Sequence, residues 1–402
     1  MRRAPNLTFL TALASITLIG PFAVHLFLPV MPEIKKAFAI SEALVGLTFS
    51  VSLMVMAFAT LVYGSLSDRY GRRPVLLAGL VLFTAGGTVA ALAGSVSGLI
   101  IGRMIQALGA GCGITLARVI ARDAYGSESL VKVIAYLSMA ATLGPMISPL
   151  LGGILIDTFG WRSVLFFAVL AGAIIALMAY VVLYETHLAD EIEPGCSGVL
   201  RNYAVLFAHA RFTAFVLQTG FATGTFFAMA SASSFLMKDY LGRSATEFGL
   251  YFVLFPLGLL VGNVISSRIS QRFSIENMVL AGSVINLVAI ISQSALIFGG
   301  HLTPLIIFVP GFLITFGQGL ALPNAQAGAL RVIPKLSGTA AGIGVFFQSF
   351  LGAIFAQVYG LLADGTPIPM VIAVSVGAVC TFLAGLTPFL LKRRNRAAAS
   401  HR

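Results

Sequence analysis

Charged residues are scarce in this 402-residue chain. Asp, Glu, Lys and Arg together make up 10% of the residues, whereas hydrophobic residues make up 58%. A soluble domain of this length could not bury so much apolar surface, so the sequence predicts an all-α membrane protein. The formal net charge of +11, which would suggest nucleic-acid binding in a soluble protein, is explained here by basic loops and anionic lipid head groups.

Cysteine is also rare, and the positions of the three cysteines argue against two kinds of site. Cys112, Cys196 and Cys380 are far apart in the sequence, so we expect neither a disulfide framework nor a zinc site. The sequence contains no Ser/His/Asp set, no Walker loop and no metal-ligand cluster. We therefore expect no metal, no cofactor and no enzymatic activity.

Twelve apolar runs are long enough to cross a bilayer core, which requires about 20 residues per helix. A polar stretch between Tyr184 and Arg211 divides them six and six. The predicted domains are an N-terminal six-helix bundle at 1–184, a linker at 185–211, a C-terminal bundle at 212–391 and a basic tail at 392–402. The predicted spans are 8–31, 43–66, 74–94, 97–121, 131–156, 163–184, 212–237, 246–268, 277–299, 303–328, 337–362 and 368–391.

The distribution of Lys and Arg predicts the orientation of the chain. With the N-terminus in the cytoplasm, eighteen of the 25 Lys and Arg residues fall on the cytoplasmic side and five on the other. Cytoplasmic loops of membrane proteins are enriched in these residues. We therefore expect both termini to be cytoplasmic.

No acidic residue lies in the middle of a predicted span, although the chain has fourteen. The ionisable groups inside spans are His25 in the first, and Arg103 and Arg118 in the fourth. A charge at the bilayer centre costs at least ~2.5 kcal/mol, so each is a candidate functional residue. Because the predicted path is neutral to positive, we expect neutral or anionic small molecules to be preferred over cations.

The turn between the second and third spans carries a dense charged motif. Residues 64–77 read GSLSDRYGRRPVLL, which resembles the signature loop between helices 2 and 3 of major facilitator superfamily (MFS) transporters. The resemblance implies two pseudo-symmetric six-helix bundles, alternating access, and a gate at which Asp68 faces the start of the eleventh span, where Ser337 is a candidate N-cap. The alternative is a loop that only fixes orientation. The gating residues would be Gly64, Asp68, Arg69, Gly71, Arg72 and Arg73.

Two further motifs resemble those of the superfamily. Residues 99–111, LIIGRMIQALGAG, resemble the helix 4 motif, whose arginine is associated with proton coupling; Arg103 takes that place, and Ala107 replaces a common glycine. Residues 144–153, GPMISPLLGG, resemble the helix 5 motif of MFS antiporters, which favours export over uptake. A general packing helix is the alternative. The motif residues are Gly144, Pro145, Pro149, Gly152 and Gly153.

The end of the first span narrows the resemblance further. Residues 20–32 (GPFAVHLFLPVMP), 118–123 (RVIARD) and 159–162 (FGWR) resemble the bicyclomycin-resistance (Bcr/CflA-type) drug:proton antiporters. In that subfamily an aspartate usually takes the position of His25, and a tyrosine that of Phe27. The resemblance implies a monomeric multidrug efflux transporter of the bacterial inner membrane. Its driving ion would be the proton and its partners a small-molecule substrate and the bilayer, without nucleic acid.

The three intramembrane groups leave several interpretations open. His25 could replace the acid as proton carrier, act as a neutral hydrogen-bonding group for substrate, or be a core histidine. A guanidinium does not titrate, so Arg103 would shift the pKa of a neighbour or bind substrate; the alternative is snorkelling. Arg118 could snorkel, pair with Asp123 or line an inner vestibule.

The expected function is export of small amphiphilic drugs in exchange for protons. The alternative is a dedicated exporter of an endogenous metabolite or siderophore, with weak or different ion coupling. The translocation path is expected to be apolar and aromatic with a few polar groups. The substrate-cavity candidates are Phe22, His25, Phe49, Met54, Gln106, Arg118, Phe221, Phe226, Met229, Asn324 and Gln348.

Overall fold

The computed structural model describes residues 7–186, 199–300 and 302–400, and these residues form helices and connecting turns with no strand. The helices are α1 Leu7–His25, α2 Met31–Phe38, α3 Glu42–Tyr70, α4 Arg72–Ala91, α5 Val96–Phe159, α6 Trp161–Val182, α7 Val199–Phe207, α8 Ala210–Phe235, α9 Ala245–Phe252, α10 Leu254–Ile269, α11 Ile275–Phe298, α12 Pro304–Val332, α13 Ser337–Leu362 and α14 Ile368–Ser400.

Twelve helical stretches within the described part of the chain are long and apolar enough to cross a membrane, which confirms the predicted number of spans. Some spans combine two helices, and α5 contains two spans. The spans are Leu7–Phe38, Glu42–Tyr70, Arg72–Ala91, Val96–Tyr125, Lys132–Phe159, Trp161–Val182, Ala210–Tyr240, Ala245–Ile269, Ile275–Phe298, Pro304–Val332, Gly338–Leu362 and Ile368–Arg394.

Serine side chains cap the N-termini of several of these helices. The hydroxyls of Ser41, Ser95 and Ser274 accept hydrogen bonds from backbone N–H groups three residues further on, at 3.2 to 3.4 Å. Such caps satisfy donors that the first turn leaves open. The predicted cap at Ser337 is wrong: a 3-10 turn at Pro334–Leu336 leads directly into α13, so Leu336 is the N-cap residue and Ser337 is already helical.

Residue contacts divide the chain into two units. The first is Met1–Glu193 with Arg243–Leu250, and the second is Pro194–Gly242 with Tyr251–Arg402. The predicted N-terminal bundle lies within the first unit, and the predicted C-terminal bundle lies within the second except for residues 243–250. The core of the first unit includes Leu13, Leu80 and Leu116, from α1, α4 and α5.

A buried ion pair network ties together the ends of three spans in the second unit. Glu276, in the first turn of α11, is 3% exposed and accepts hydrogen bonds from Arg211 of α8 and from Lys392 of α14, the latter at 2.7 Å. A buried carboxylate is costly unless it is paired and hydrogen-bonded. Glu276 thus fixes the relative positions of these three ends, consistent with its predicted place at a helix end.

Candidate functional site

The first span is broken at the position of His25. Helix α1 ends at His25, a 3-10 turn covers Leu28–Val30, and α2 begins at Met31. Pro29 and Pro32 explain the break, because proline lacks the N–H that would continue the ladder. Broken helices are the places where transporters present backbone and side-chain groups to a substrate. The break therefore supports His25, which is 7% exposed, as a site residue.

The hydrogen bond of His25 sets the roles of its two ring nitrogens. Nδ1 lies 2.9 Å from the Pro21 carbonyl oxygen. Since a carbonyl only accepts, Nδ1 carries the hydrogen and donates it. In the neutral imidazole Nε2 is then the acceptor, and it is the atom that takes up a second proton.

Arg103, in α5, contacts residues on both sides of His25. Its Nη1 and Nη2 each lie 3.3 Å from the Ala23 carbonyl oxygen, two residues before His25. Its guanidinium lies 4.1 Å from the ring centroid of Phe27, two residues after His25. The structure thus brings Arg103 and the His25 segment together, and Phe27 provides an aromatic face for the cation.

The charge of Arg103 has no carboxylate partner among the described residues. The side chain is 3% exposed, and its shortest hydrogen bond, 2.7 Å, goes from Nη1 to the neutral Oε1 of Gln106. Within the described ranges, Arg103 Nε and Gln106 Nε2 are buried donors without a hydrogen-bond acceptor. A buried cation with spare donors can bind an anionic or hydrogen-bond-accepting group.

The glycines of the helix 5 motif make room for the broken span. A Cβ at Gly144 would lie 2.9 Å from Cβ of Pro21, and one at Gly152 would lie 3.0 Å from the Leu26 carbonyl oxygen. Pro145 and Pro149 lie inside the same stretch of α5. This face of α5 therefore packs closely against the segment that carries His25, as small residues in membrane helices allow.

The opposite edge of the motif packs against the start of α9, within the first unit. A Cβ at Gly153 would lie 2.2 Å from the Ala245 carbonyl oxygen. Asp157 accepts hydrogen bonds from the N–H groups of Ala245, at 3.3 Å, and Thr246, at 2.8 Å. The carboxylate satisfies donors at the N-terminus of α9, where negative charge is favourable.

Gly153→Ala should disturb this contact strongly. The added methyl group meets backbone atoms of α9, which must move, and overpacking of this kind costs about 1–3 kcal/mol. We expect a lower thermal unfolding temperature and at least ~10-fold less transport. The matched control is Gly344→Ala in α13, where nothing described lies within 4 Å of the new Cβ. Equal unfolding temperatures for the two variants would refute the importance of this contact.

The signature loop is a charged network centred on Arg72. This buried side chain pairs with Asp68, donates from Nη1 to the Ser67 hydroxyl at 2.7 Å, and donates from Nε to Asp123 at 3.1 Å. Asp68 itself is 62% exposed. Within the first unit the loop therefore joins the end of α3 to the middle of α5; a contact of Asp68 with the start of α13 stays a prediction.

Glu185 is a member of this network that the sequence did not single out. Its two carboxylate oxygens accept from the N–H groups of Arg72, at 3.0 Å, and Arg73, at 3.1 Å. Gly71 has a φ of 94°, which favours glycine, and a Cβ there would lie 2.7 Å from Glu185 Oε2. The turn glycine is thus required by conformation and by close approach.

Of the remaining gate residues, Arg69 is exposed, whereas Gly64 and Arg73 are half-buried. Arg69 lies over the ring of Tyr70, at 5.2 Å, and Arg73 Nη2 donates to the Tyr180 carbonyl oxygen at 2.8 Å. Gly64 has no described atom within 4 Å of an added Cβ. Neither close packing nor a left-handed conformation therefore requires glycine at position 64 in this structure.

The cavity candidates of the first unit differ in exposure. Phe49 is fully buried, Phe22 is half-buried against Phe167, and Met54 is half-buried. Arg118 is exposed. Of the three interpretations left open for Arg118, pairing with Asp123 is not observed, because the described partners of that carboxylate are Arg72 and Arg122.

The cavity candidates of the second unit form two groups. Phe221 and Phe226 are half-buried within aromatic clusters, and Met229 is fully buried. Asn324 donates to the Ser266 hydroxyl and the Leu320 carbonyl oxygen, both at 2.8 Å. Gln348 has a buried Nε2 without an acceptor in the described ranges, so it keeps a donor for a ligand.

The sequence placed Asp157 and Glu185 at helix ends but gave no sign of their roles. Each carboxylate accepts from backbone N–H groups at the start of a helix 88 or more residues away. The sequence shows only that each carboxylate lies at the end of a span. It does not show which helix the carboxylate caps, because that helix is distant in the chain.

Comparisons with known proteins agree with the observed architecture. The sequence profile described as "Major Facilitator Superfamily" matches residues 13–357. A bicyclomycin resistance protein homolog of Haemophilus influenzae is 25% identical over 96% of both chains, and multidrug resistance protein D of Escherichia coli is 28% identical over 90% of this chain and 91% of its own. The crystal structure of a D-xylose-proton symporter is similar in fold, with a TM-score of 0.79 and 14% identity, over 94% of this chain and 96% of the other.

Proposed function

The chain belongs to the major facilitator superfamily, and from this premise we propose that it exports small amphiphilic compounds by proton antiport with alternating access. It is a transporter of the multidrug-resistance type, not an enzyme, and a multi-pass protein of the bacterial inner membrane. Both termini are proposed to be cytoplasmic, because most Lys and Arg residues then lie on that side.

The proposed substrate preference rests on Arg103, a buried cation whose described contacts are all with uncharged groups. Its hydrogen bonds go to Ala23 O and Gln106 Oε1, and its face contacts Phe27. Placing a cationic substrate next to this cation, away from water, costs about 2 kcal/mol or more, whereas an anionic substrate is attracted. Lipophilic cations are therefore poor substrates, and neutral or anionic amphiphiles are preferred.

Proton exchange is assigned to His25. A neutral substrate that donates a hydrogen bond to Nε2 and a proton compete for the same lone pair, because imidazolium has no acceptor left. This competition is what antiport requires. An anionic substrate at Arg103 would attract the imidazolium rather than compete with it, so exchange should be strongest with neutral substrates.

A charge series tests the proposal. Three compounds with the same aromatic body, one neutral, one carrying a carboxylate and one a quaternary ammonium group, are loaded into cells and proteoliposomes. We expect efflux of the first two, at least ~10-fold less efflux of the cation, and more proton uptake into the compartment in exchange for the neutral compound than for the carboxylate. Preferred efflux of the cation would refute the charge assignment. Efflux of a single endogenous metabolite, with none of the three exported, would favour the dedicated exporter.

A further inference from the structure

An apolar groove lies between α1 and the second span of α5, away from the His25 break. It encloses about 680 Å³, within the range of sites that hold drug-sized ligands. Leu10, Ala14, Met139 and Leu143 contribute apolar walls. All of its lining residues belong to the first unit.

The polar groups of this groove are mainly donors. Lys132 contributes an exposed ammonium group, for which the described ranges contain no ion pair. The Tyr125 hydroxyl is buried and has no hydrogen-bond partner among the described residues. The hydroxyl of Thr11 already donates to Thr8 O at 2.9 Å. Among the lining residues whose side chains the structure describes, none is a carboxylate.

We propose that this groove is a second binding site for the transported amphiphile, and that it takes single-chain or drug-sized anions. The apolar body lies along α1 and α5, while Lys132 and Tyr125 bind the anionic head. The inference rests on the proposed export of amphiphiles and names the subsite at which an anionic one is held. Charge complementarity indicates an anionic ligand, because Lys132 is the charged group among the described lining residues and it attracts anions.

The size of the groove indicates what kind of molecule it can hold. A volume of about 680 Å³ suits one short chain or one drug-sized body rather than a phospholipid with two long chains. The groove is also open along one side, as its exposed Tyr136 and Met139 show. An open groove lets a transported molecule enter and leave, which a resident lipid does not need.

Photolabelling of the full-length protein in phosphatidylcholine nanodiscs tests the site. The probe is a twelve-carbon alkyl carboxylate with a diazirine in its chain, and the matching alcohol is the neutral control. Mass spectrometry should locate the label on residues 7–14 and 132–143. Lys132→Gln should reduce carboxylate labelling by about 2- to 5-fold, as loss of an exposed ion pair predicts, and leave alcohol labelling unchanged.

Matched variants separate the groove from general effects. Ala14→Trp fills the groove and should reduce labelling by both probes, whereas Ala173→Trp on the exposed face of α6 and Lys335→Gln should leave labelling unchanged. Label elsewhere, or equal labelling of Lys132→Gln and the parent, refutes the site. Loss of labelling on adding phosphatidylglycerol would identify a lipid as the occupant and also refute it. Groove labelling without any efflux would instead count against the proposed function alone.

Discussion

His25→Ala is expected to abolish substrate-induced proton exchange while substrate binding persists. The variant removes the imidazole at the break between α1 and α2, in the segment whose Ala23 and Phe27 contact Arg103. Without Nε2, substrate and proton no longer compete for one lone pair. The measurement is proton movement in proteoliposomes across pH 5.5 to 8.5, with binding of a neutral substrate determined in parallel; the loss of exchange should exceed ~10-fold.

His25→Asp tests how the charge of the titrating group at position 25 affects transport. A carboxylate also exchanges protons, but it is negative when deprotonated and neutral when protonated, the reverse of histidine. We expect exchange to return with a different pH dependence, and the quaternary ammonium compound to become a substrate. His209→Ala, which removes an exposed histidine in the second unit, is the matched control. Undiminished proton coupling in His25→Ala would overturn the assignment and turn attention to Asp68 and Asp123.

Arg103→Gln is expected to reduce export of the carboxylate compound by about 10- to 150-fold, the factor that corresponds to a hydrogen bond to a charged group. Export of the neutral compound should fall less, because it does not need the charge. The measurements are initial efflux rates at several substrate concentrations, together with the thermal unfolding temperature. Arg103→Lys keeps the charge and should recover part of the export of the carboxylate compound. It should not restore the two hydrogen bonds that Arg103 donates to Ala23 O.

The control for Arg103 is Arg118→Gln. Arg118 lies on the same helix but is exposed, so its removal should leave the ratio of carboxylate to neutral export unchanged. If Arg103→Gln lowers export of all compounds equally and also lowers the unfolding temperature, Arg103 only holds the broken span in place. The proposed preference for anions would then be wrong.

Much of the fold was predictable because it depends on local properties of the chain. Span length follows from the thickness of the bilayer and the rise of a helix, so twelve apolar runs gave twelve spans. The break after His25 was less evident, since Pro21 is accommodated inside α1 while Pro29 and Pro32 follow the break. The predicted cap at Ser337 was wrong because the 3-10 turn at Pro334–Leu336 leads directly into α13, which makes Leu336 the N-cap residue.

The sequence by itself determined that this protein is a membrane protein and that it has twelve spans. It also singled out His25, Arg103 and Arg118 as candidate functional residues inside the predicted spans. The cost of burying charge makes such residues conspicuous in any apolar run. Only the tertiary structure decided that Arg103 holds the His25 segment, that Asp157 and Glu185 cap distant helices, and that Lys132 and Tyr125 share a groove with α1. These contacts join residues far apart in the chain, and helix packing, which depends on the shapes of many side chains at once, brings them together.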